Sequence, residues 1–473
     1  MRMRTSFLLD DTICAVATPS GMGAIATVRV SGPQAHAIVC GLLFRHGKPF
    51  PQESIEGYRA YYGQIADADE TLDEAVVTFF KAPHSFTGED AAEISVHGSV
   101  YVQQRLLELL VERGCRMAQP GEFTRRAFVN RKFDLAQAEA VADLIASQNE
   151  AAHRVAINQL KGGFSKELQE LRSKLLEMTS LMELELDFSE EDVEFADRSQ
   201  LRSLLDVTQD HVKKLTDSFR LGNAIKNGVP VAIVGQTNTG KSTLLNALLG
   251  EDRAIVSDIA GTTRDTIEEV MNLNGTLFRF IDTAGIRDTE ETIERIGIER
   301  SYRKIQEATV VIGMLDATTD YESMLSSAKE IVGKVDLEQQ QLVLCINKVD
   351  TLTDQGEVLL GQLRQDMDND DLQVICLSAK HKFGLNDLYN TLRHSQHFDL
   401  RDVTLVTNVR HYEALRHASE SLEAVSRGLE EDIPTDLVAQ DLREALYYIG
   451  SITGEITTDE VLGSIFGRFC VGK

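Results

Sequence analysis

Residues 235–242 read Gly235-Gln-Thr-Asn-Thr-Gly240-Lys241-Ser242, the spacing of a phosphate-binding loop. The apolar run Val229-Pro-Val-Ala-Ile-Val234 precedes it and the helix-forming run Ser242-Thr-Leu-Leu-Asn-Ala-Leu-Leu249 follows. This is the strand–loop–helix context that the motif requires, and it implies an α/β nucleotide domain. Glycines let the backbone wrap a phosphate chain, so that successive N–H groups and a helix N-terminus face the negative charge. Lys241 is expected to neutralise the outer phosphates and Ser242 to ligate Mg²⁺. Asn238, Thr239, Gly240 and Thr243 complete the expected loop contacts. The alternative, a plain glycine turn, loses ground as further motifs appear.

Asp282-Thr283-Ala284-Gly285 follows the strand-like run Thr276-Leu-Phe-Arg-Phe-Ile281. A strand-end carboxylate at Asp282 can hold Mg²⁺ through water, and the Gly285 N–H can meet the terminal phosphate. Asn347-Lys348-Val349-Asp350 follows Gln341-Leu-Val-Leu-Cys-Ile346. Guanine offers N–H donors on its Watson–Crick edge, which the Asp350 carboxylate can accept, and adenine lacks that donor pair. Asn347 is expected to brace the loop and meet the purine. Ser378-Ala379-Lys380 ends a further apolar run, Leu372-Gln-Val-Ile-Cys-Leu377. A backbone N–H there can reach the guanine carbonyl. The expected ligand is GTP or GDP.

This motif order resembles the translation-factor-like branch of GTP-binding proteins. Asp258-Ile-Ala-Gly-Thr-Thr-Arg-Asp265 is similar to the first switch of that branch. The resemblance implies that Thr263 closes over Mg²⁺ and the terminal phosphate. Asn238 matches the residue with which K⁺-dependent members hold a monovalent cation, and Ser257, Ile259 and Thr262 match the positions that complete that site. Such a cation takes the place of an arginine finger. Ile286 stands where Ras-like proteins carry a water-orienting Gln, and a hydrophobic residue cannot orient water. Glu294, in an acidic run, is the candidate for that task. The other reading of the run is a solvated switch helix, the usual fate of a charged stretch.

The chain has 473 residues, room for about three domains. No apolar stretch reaches the ~18 uncharged residues of a membrane span, and the first ten residues hold too short an apolar core for a signal peptide. The six cysteines, Cys14, Cys40, Cys115, Cys345, Cys376 and Cys470, form no C-x-x-C pair. Cys345 and Cys376, within predicted core strands, read as buried thiols of a cytoplasmic protein. A net charge of −26 argues against broad, sequence-independent nucleic-acid binding. It leaves room for a local basic patch, for which Arg125, Arg126, Arg131 and Lys132 are candidates; on sequence alone an ordinary helix face is the preferred reading of them.

The pattern divides the chain. Residues 1–125 mix short β-rich runs, such as Ile25-Ala-Thr-Val-Arg-Val30 and Glu74-Ala-Val-Val-Thr-Phe-Phe80, with turns. Phe164, Leu168, Leu171, Leu175, Met178 and Met182 then recur at steps of four and three, one face of a long helix. Gly162-Gly163 suggests a joint between helices. A second helical stretch passes through Leu204, His211 and Leu215, and Gly222 to Gly228 reads as a linker. The expected architecture is multidomain, α/β and α. A Ras-like P-loop domain over 223–389 is inserted into a discontinuous helical domain, 126–222 and 390–473, behind an N-terminal α+β domain.

Asp11-Thr-Ile13, Ala17-Thr-Pro19, Arg29-Val-Ser-Gly32, Ser85-Phe-Thr-Gly-Glu-Asp90, Pro120-Gly-Glu-Phe-Thr124, Asp134-Leu-Ala-Gln-Ala-Glu139 and the ending Phe469-Cys-Val-Gly-Lys473 resemble the MnmE (TrmE) family from about residue 10 to the end. That resemblance implies GTP hydrolysis coupled to tRNA modification. The partner is the flavoprotein MnmG, in a heterotetramer, and the product is an aminomethyl or carboxymethylaminomethyl group on carbon 5 of the wobble uridine. It also implies K⁺-dependent pairing of the nucleotide domains and a homodimer formed through an N-terminal domain that binds a tetrahydrofolate derivative, 5-formyl or methylene. Arg29, Glu93, Lys132 and Lys473 match folate-site residues. Glu93, taken as buried, suits a pterin, and Arg or Lys suits the glutamate tail. Surface ion pairs are the alternative for each. Cys470 is by position a nucleophile or redox residue, or simply structural. Gln236 and Thr237 replace the Arg and Pro usual in the family's phosphate loop, whereas Asn238 is kept. A ribosome-assembly GTPase is the competing function. Proteins of that kind in this branch append a compact basic RNA-binding domain, which the chain does not display.

Overall fold

The computed structural model describes residues 11–67, 70–187, 198–250, 269–273, 276–281, 305–337, 340–352, 356–367, 372–394, 404–431, 433–467, 469 and 472. They fall into two compact units. One comprises Met1–Ile145, Ile157–Val212 and Ala414–Lys473; the other comprises Ala146–Ala156 and Lys213–Glu413.

The first unit holds an eight-stranded sheet of β1 (Thr12–Val16), β2 (Ile25–Ser31), β3 (Leu43–Arg45), β4 (Lys48–Pro49), β5 (Arg59–Asp67), β6 (Glu70–Phe80), β7 (Ala91–His97) and β8 (Cys115–Met117). The order is β4-β3-β5-β6-β7-β2-β1-β8. Neighbours are antiparallel except β1 and β8, which are parallel. β2 shows the period-two pattern of a half-buried strand: Ala26, Val28 and Val30 enter the core, and Thr27 and Arg29 face the other side. Helices Ala35–Leu42 and Val100–Glu112 cover the apolar face with Ile38, Val39, Leu42, Leu106, Leu109 and Leu110. The expected long helix spans Gly163–Asp187, and all six of its predicted apolar residues, Phe164 to Met182, are buried. Helix Thr435–Thr453 packs along it. Gly162, at φ +83°, forms the joint before it, a conformation that glycine adopts without a Cβ clash. The second helical stretch runs over Arg198–Asp217 and buries Leu201, Leu205, Thr208, Val212 and Leu215; Leu204 and His211 lie half-buried at the margin of that stripe.

Arg126 fits neither sequence reading, a basic patch or an ordinary helix face. It is 2% exposed, and its guanidinium donates to Asp11 Oδ1, to Glu89 Oε1 at 3.1 Å and to Glu122 Oε1 at 3.1 Å. Arg116 closes the cluster onto Asp11 and Glu122 at 2.7 and 2.6 Å. Burying a cation requires such partners, and they come from segments that local reading does not join.

The second unit is built on a six-stranded sheet of β9 (Val229–Gly235), β10 (Glu269–Leu273), β11 (Thr276–Phe280), β12 (Val310–Asp316), β13 (Gln341–Asn347) and β14 (Gln373–Cys376). The order is β10-β11-β9-β12-β13-β14, parallel except for β10 against β11. Continuous apolar runs are what a sheet covered on both faces requires. Val231 and Ile233 of β9 meet Leu244, Leu245 and Leu248 of helix Lys241–Leu249 on one face, whereas Ala232 and Val234 lie with Met324, Ala328 and Ile331 of helix Tyr321–Val332 on the other. Gly222 is not part of a linker. It lies inside helix Phe219–Asn227, where a Cβ would stand 2.2 Å from Val406 O, and only Gly228, at φ +88°, ends the helix. That glycine serves close packing, not chain flexibility. Cys345 is buried as expected, but Cys376 is only half-buried; Cys14, Cys40 and Cys115 are buried as well, and none of the five forms a disulfide. Burial pushes the Cys345 thiol up to about 12.

Candidate guanine-nucleotide site

In an open parallel sheet, ligands bind beyond the carboxyl ends of the strands. β9 ends there in Gly235, at φ +147°, where a Cβ would lie 2.4 Å from Met314 O. Gly240, at φ +98°, caps helix Lys241–Leu249, and a Cβ on it would lie 2.2 Å from Asn347 Nδ2. Gly235 is therefore demanded by a neighbouring backbone carbonyl, and Gly240 by the Asn347 side chain together with its own positive φ. Asn238 also takes positive φ, +64°, which short amide side chains tolerate better than most. The Lys241 ammonium folds over its own loop, donating to Gly235 O at 2.9 Å and Gln236 O at 2.7 Å. Ser242 and Thr243 occupy the first turn of the helix, whose N-terminal N–H groups and dipole suit an anion.

Asn347 ends β13 and is 3% exposed. Its Nδ2 donates to Thr239 O at 2.8 Å, and its Oδ1 accepts the Ala379 N–H at 2.9 Å. One side chain thus ties the phosphate loop to the Ser378–Lys380 loop. Ser378 and Phe383 exchange backbone hydrogen bonds at 3.0 and 3.1 Å, and Gly384, at φ +74°, lies where a Cβ would meet Cys376 O at 2.3 Å. Lys348, at φ +67°, turns the chain into a short 3₁₀ segment that carries Asp350. The Ser378 hydroxyl, followed by His381 and Lys380, holds the Asp350 carboxyl below the usual carboxylate range. A charged acceptor is therefore kept at the mouth of this loop.

The structure gathers Asn238, Thr239, Gly240, Lys241, Ser242 and Thr243 with Asn347, Lys348, Asp350, Ser378, Ala379 and Lys380 at the carboxyl edges of β9, β13 and β14. Ser257, Ile259, Thr262, Thr263, Asp282, Thr283, Ala284, Gly285 and Glu294 lie outside the described residues. Two contacts at this edge escaped the sequence reading. Gln236 Nε2 donates to Ser327 Oγ at 2.7 Å, pinning the phosphate loop to helix Tyr321–Val332. Asp316 holds Lys348 Nζ at 2.6 Å; the available signal was a carboxylate closing the apolar run Val310–Leu315.

In the other unit, Arg29 and Glu93 stand directly opposite across β2 and β7. Arg29 Nε and Nη2 both donate to Glu93 Oε1, at 3.0 and 2.7 Å, and Glu93 is half-buried, not buried as expected: the two side chains are 17% and 32% exposed. Arg29 Nη1 donates to Gly472 O at 3.3 Å. Gly472, at φ +97°, lies where a Cβ would meet Val16 O at 2.2 Å, so Gly472 lies against β1. The Arg29 guanidinium also sits 5.2 and 5.7 Å from the Phe86 and Phe123 rings, a cation–π arrangement. Neither aromatic ring was singled out from sequence. Lys132 Nζ donates to Pro83 O at 3.1 Å, on the loop that carries Phe86. Lys473 and Cys470 lie outside the described residues.

Two family models match the chain: the MnmE helical domain over residues 135–470 and the GTP-binding protein TrmE N-terminus over residues 12–132. The chain is 50% identical over 468 residues to the tRNA modification GTPase MnmE of Bacteroides thetaiotaomicron, covering 98% of this chain and 100% of that protein. It is 50% identical over 467 residues to the protein of the same name from Parabacteroides distasonis, again covering 98% and 100%. Among solved structures, Aquifex aeolicus Era in a GDP–aluminium fluoride complex is similar over 41% of this chain and 66% of that one, with 27% identity and a TM-score of 0.28. Identity of this level from end to end, with both family models in order, establishes that the chain belongs to the MnmE (TrmE) family.

Proposed function

We propose that the protein hydrolyses GTP and acts in tRNA modification, working with a MnmG-type flavoprotein to place an aminomethyl-type group on carbon 5 of the wobble uridine. The observation that carries the nucleotide half of this reading is the Asn347 brace, which holds a phosphate loop and a base loop in one register. Lys241 answers the outer phosphates. Asp350 accepts the guanine donors, Asn347 holds the loops, and an N–H of Ser378–Lys380 donates to the guanine carbonyl. The hydroxyl of Ser242, with those of Thr263 and a water on Asp282, offers the hard oxygen donors that suit Mg²⁺. Asn238, Ser257, Ile259 and Thr262 offer neutral oxygens of the kind that suit K⁺. Mg²⁺ and K⁺, when bound, supply positive charge where negative charge grows on the phosphates. Glu294 is the residue assigned to orient the attacking water.

The one-carbon half rests on Arg29, Glu93, Lys132 and Lys473, read as the site of a 5-formyl- or methylene-tetrahydrofolate. The Arg29–Glu93 pair, with Phe86 and Phe123 beside it and the chain's end at Gly472, supports this by offering a carboxylate, cations and aromatic faces together. Cys470, two residues from Gly472, is the candidate nucleophile or redox group. The division into an N-terminal dimerisation domain over 1–125, a two-segment helical domain and a nucleotide domain over 223–389 belongs to the same proposal. So do a homodimer, its complex with the flavoprotein and a cytoplasmic location. Mass spectrometry of tRNA nucleosides from cells lacking the protein, with and without a plasmid copy, tests it. Loss and recovery of the carbon-5 group is the expected result. An unchanged nucleoside profile would sink the modification role and leave a ribosome-assembly GTPase as the better reading.

A further inference from the structure

We propose that Asp316 is a positioning residue for nucleotide binding: by holding the Lys348 ammonium it fixes the turn and the side chain that border the purine. The inference rests on reading Asn347–Asp350 as the base loop. Asp316 is the last residue of β12 and lies in register beside Asn347 of β13. Ala317 N donates to Asn347 O at 3.0 Å, so the two strand ends are joined. Both carboxylate oxygens are engaged. Oδ2 accepts from Lys348 Nζ at 2.6 Å, and Oδ1 accepts from Thr318 N at 2.9 Å and Thr318 Oγ1 at 2.7 Å.

The Asp316 side chain is 12% exposed and that of Lys348 34%, so water screens this pair less than a surface one. Burial would raise the Asp316 carboxyl, but the bonds from Lys348 and Thr318 carry it below its ordinary value, and it stays charged. An unpaired lysine at a strand end samples many rotamers in water. Here the ammonium is pinned, and Lys348 keeps the left-handed backbone, φ +67°, from which the Asp350 segment departs. A methylene stem held in this way presents a fixed apolar surface to a planar base. Asp316 and Lys348 lie outside the phosphate loop, at the ends of β12 and β13, so the effect belongs to binding and not to the chemical step.

Asp316→Asn keeps the Oδ1 acceptor for Thr318 and removes the charge that holds Lys348. In the full-length protein, the dissociation constant of a fluorescent GDP analogue and the KM for GTP should both rise about tenfold, with kcat changed less than about twofold. Asp316→Asn combined with Lys348→Met should bind no worse than Lys348→Met alone, because the two act as one unit. Wild-type affinity in Asp316→Asn, additive losses in the double variant, or a fall in kcat at constant KM would each overturn the proposal. Should Asp316→Asn fail to fold, Lys348→Met alone decides: an unchanged KM overturns the proposal, and a raised KM at constant kcat supports it. Asp350→Asn separates this inference from the base-loop reading. That substitution offers an amide donor where xanthine carries a second carbonyl, so binding should move from GDP toward xanthosine diphosphate. No shift means that the base-loop reading fails. A shift with normal GDP binding by Asp316→Asn means that only the role of Asp316 fails.

Discussion

Replacing Asn347 with Ala should uncouple the phosphate loop from the base loop. The side chain makes two hydrogen bonds, to Thr239 O at 2.8 Å and from Ala379 N at 2.9 Å, and is 3% exposed. A net intramolecular hydrogen bond contributes about 1 kcal/mol, and a buried partner left without one costs about 1–3 kcal/mol. With water entering the space to satisfy part of the loss, the expected cost is about 2–3 kcal/mol. If the brace holds the nucleotide-binding geometry, that energy appears as roughly 30- to 150-fold weaker GDP binding. Asn347→Asp is the sharper variant. One of its oxygens can still accept the Ala379 N–H, but the other faces the Thr239 carbonyl, acceptor against acceptor. Its affinity should therefore fall at least as far as that of Asn347→Ala. Titration with a fluorescent GDP analogue, beside the melting temperature of the nucleotide-free protein, reads both effects. A lowered melting temperature with unchanged GDP affinity would refute the reasoning, because the brace would then serve the fold and not the ligand.

Lys241→Ala should abolish GTP turnover in a steady-state phosphate-release assay, since no other side chain of the loop carries a positive charge; normal turnover would remove the phosphate-loop assignment. Exchanging K⁺ for Na⁺ at constant ionic strength should slow hydrolysis sharply, and equal rates would leave Asn238 as a loop residue with no cation to hold. Glu122 provides the pH test. Burial would raise its carboxyl, but the bonds from Arg116, Gln119 N and Arg126 carry it below its ordinary 4.5. A depressed folded value stabilises the fold fully above 4.5 and is lost as the pH falls through that lower value. Glu122→Gln should thus lower the melting temperature at neutral pH and flatten its decline toward about pH 4. An identical decline in variant and wild type would contradict the charge assignment.

What sequence alone could locate, and what it could not, follows from how far apart the interacting groups lie along the chain. The phosphate loop is a local object: an apolar strand, glycines at Gly235 and Gly240 and a helix are contiguous, so their spacing announces their geometry. The long helix from Gly163 was equally legible, because Phe164 to Met182 carry its buried face at fixed intervals. Arg126 was not. Read locally, Arg125-Arg126 is an exposed basic pair, and only Asp11, 115 residues away, together with Glu89 and Glu122, makes burial of its charge tolerable. Gly222 failed for a related reason. A glycine needed because Val406 O passes 2.2 Å from its missing Cβ looks, in sequence, the same as one needed for a flexible link. Lys348 combines both cases. Its place in a base-reading motif was visible, whereas its ion pair to Asp316, 32 residues earlier, depends on β12 and β13 lying side by side. The motif names which residues meet the nucleotide, and the long-range pairs decide how firmly they are held. A substitution at Asp316, which leaves Lys241, Asn347 and Asp350 in place, is therefore the one that separates the presence of a site from its preorganisation.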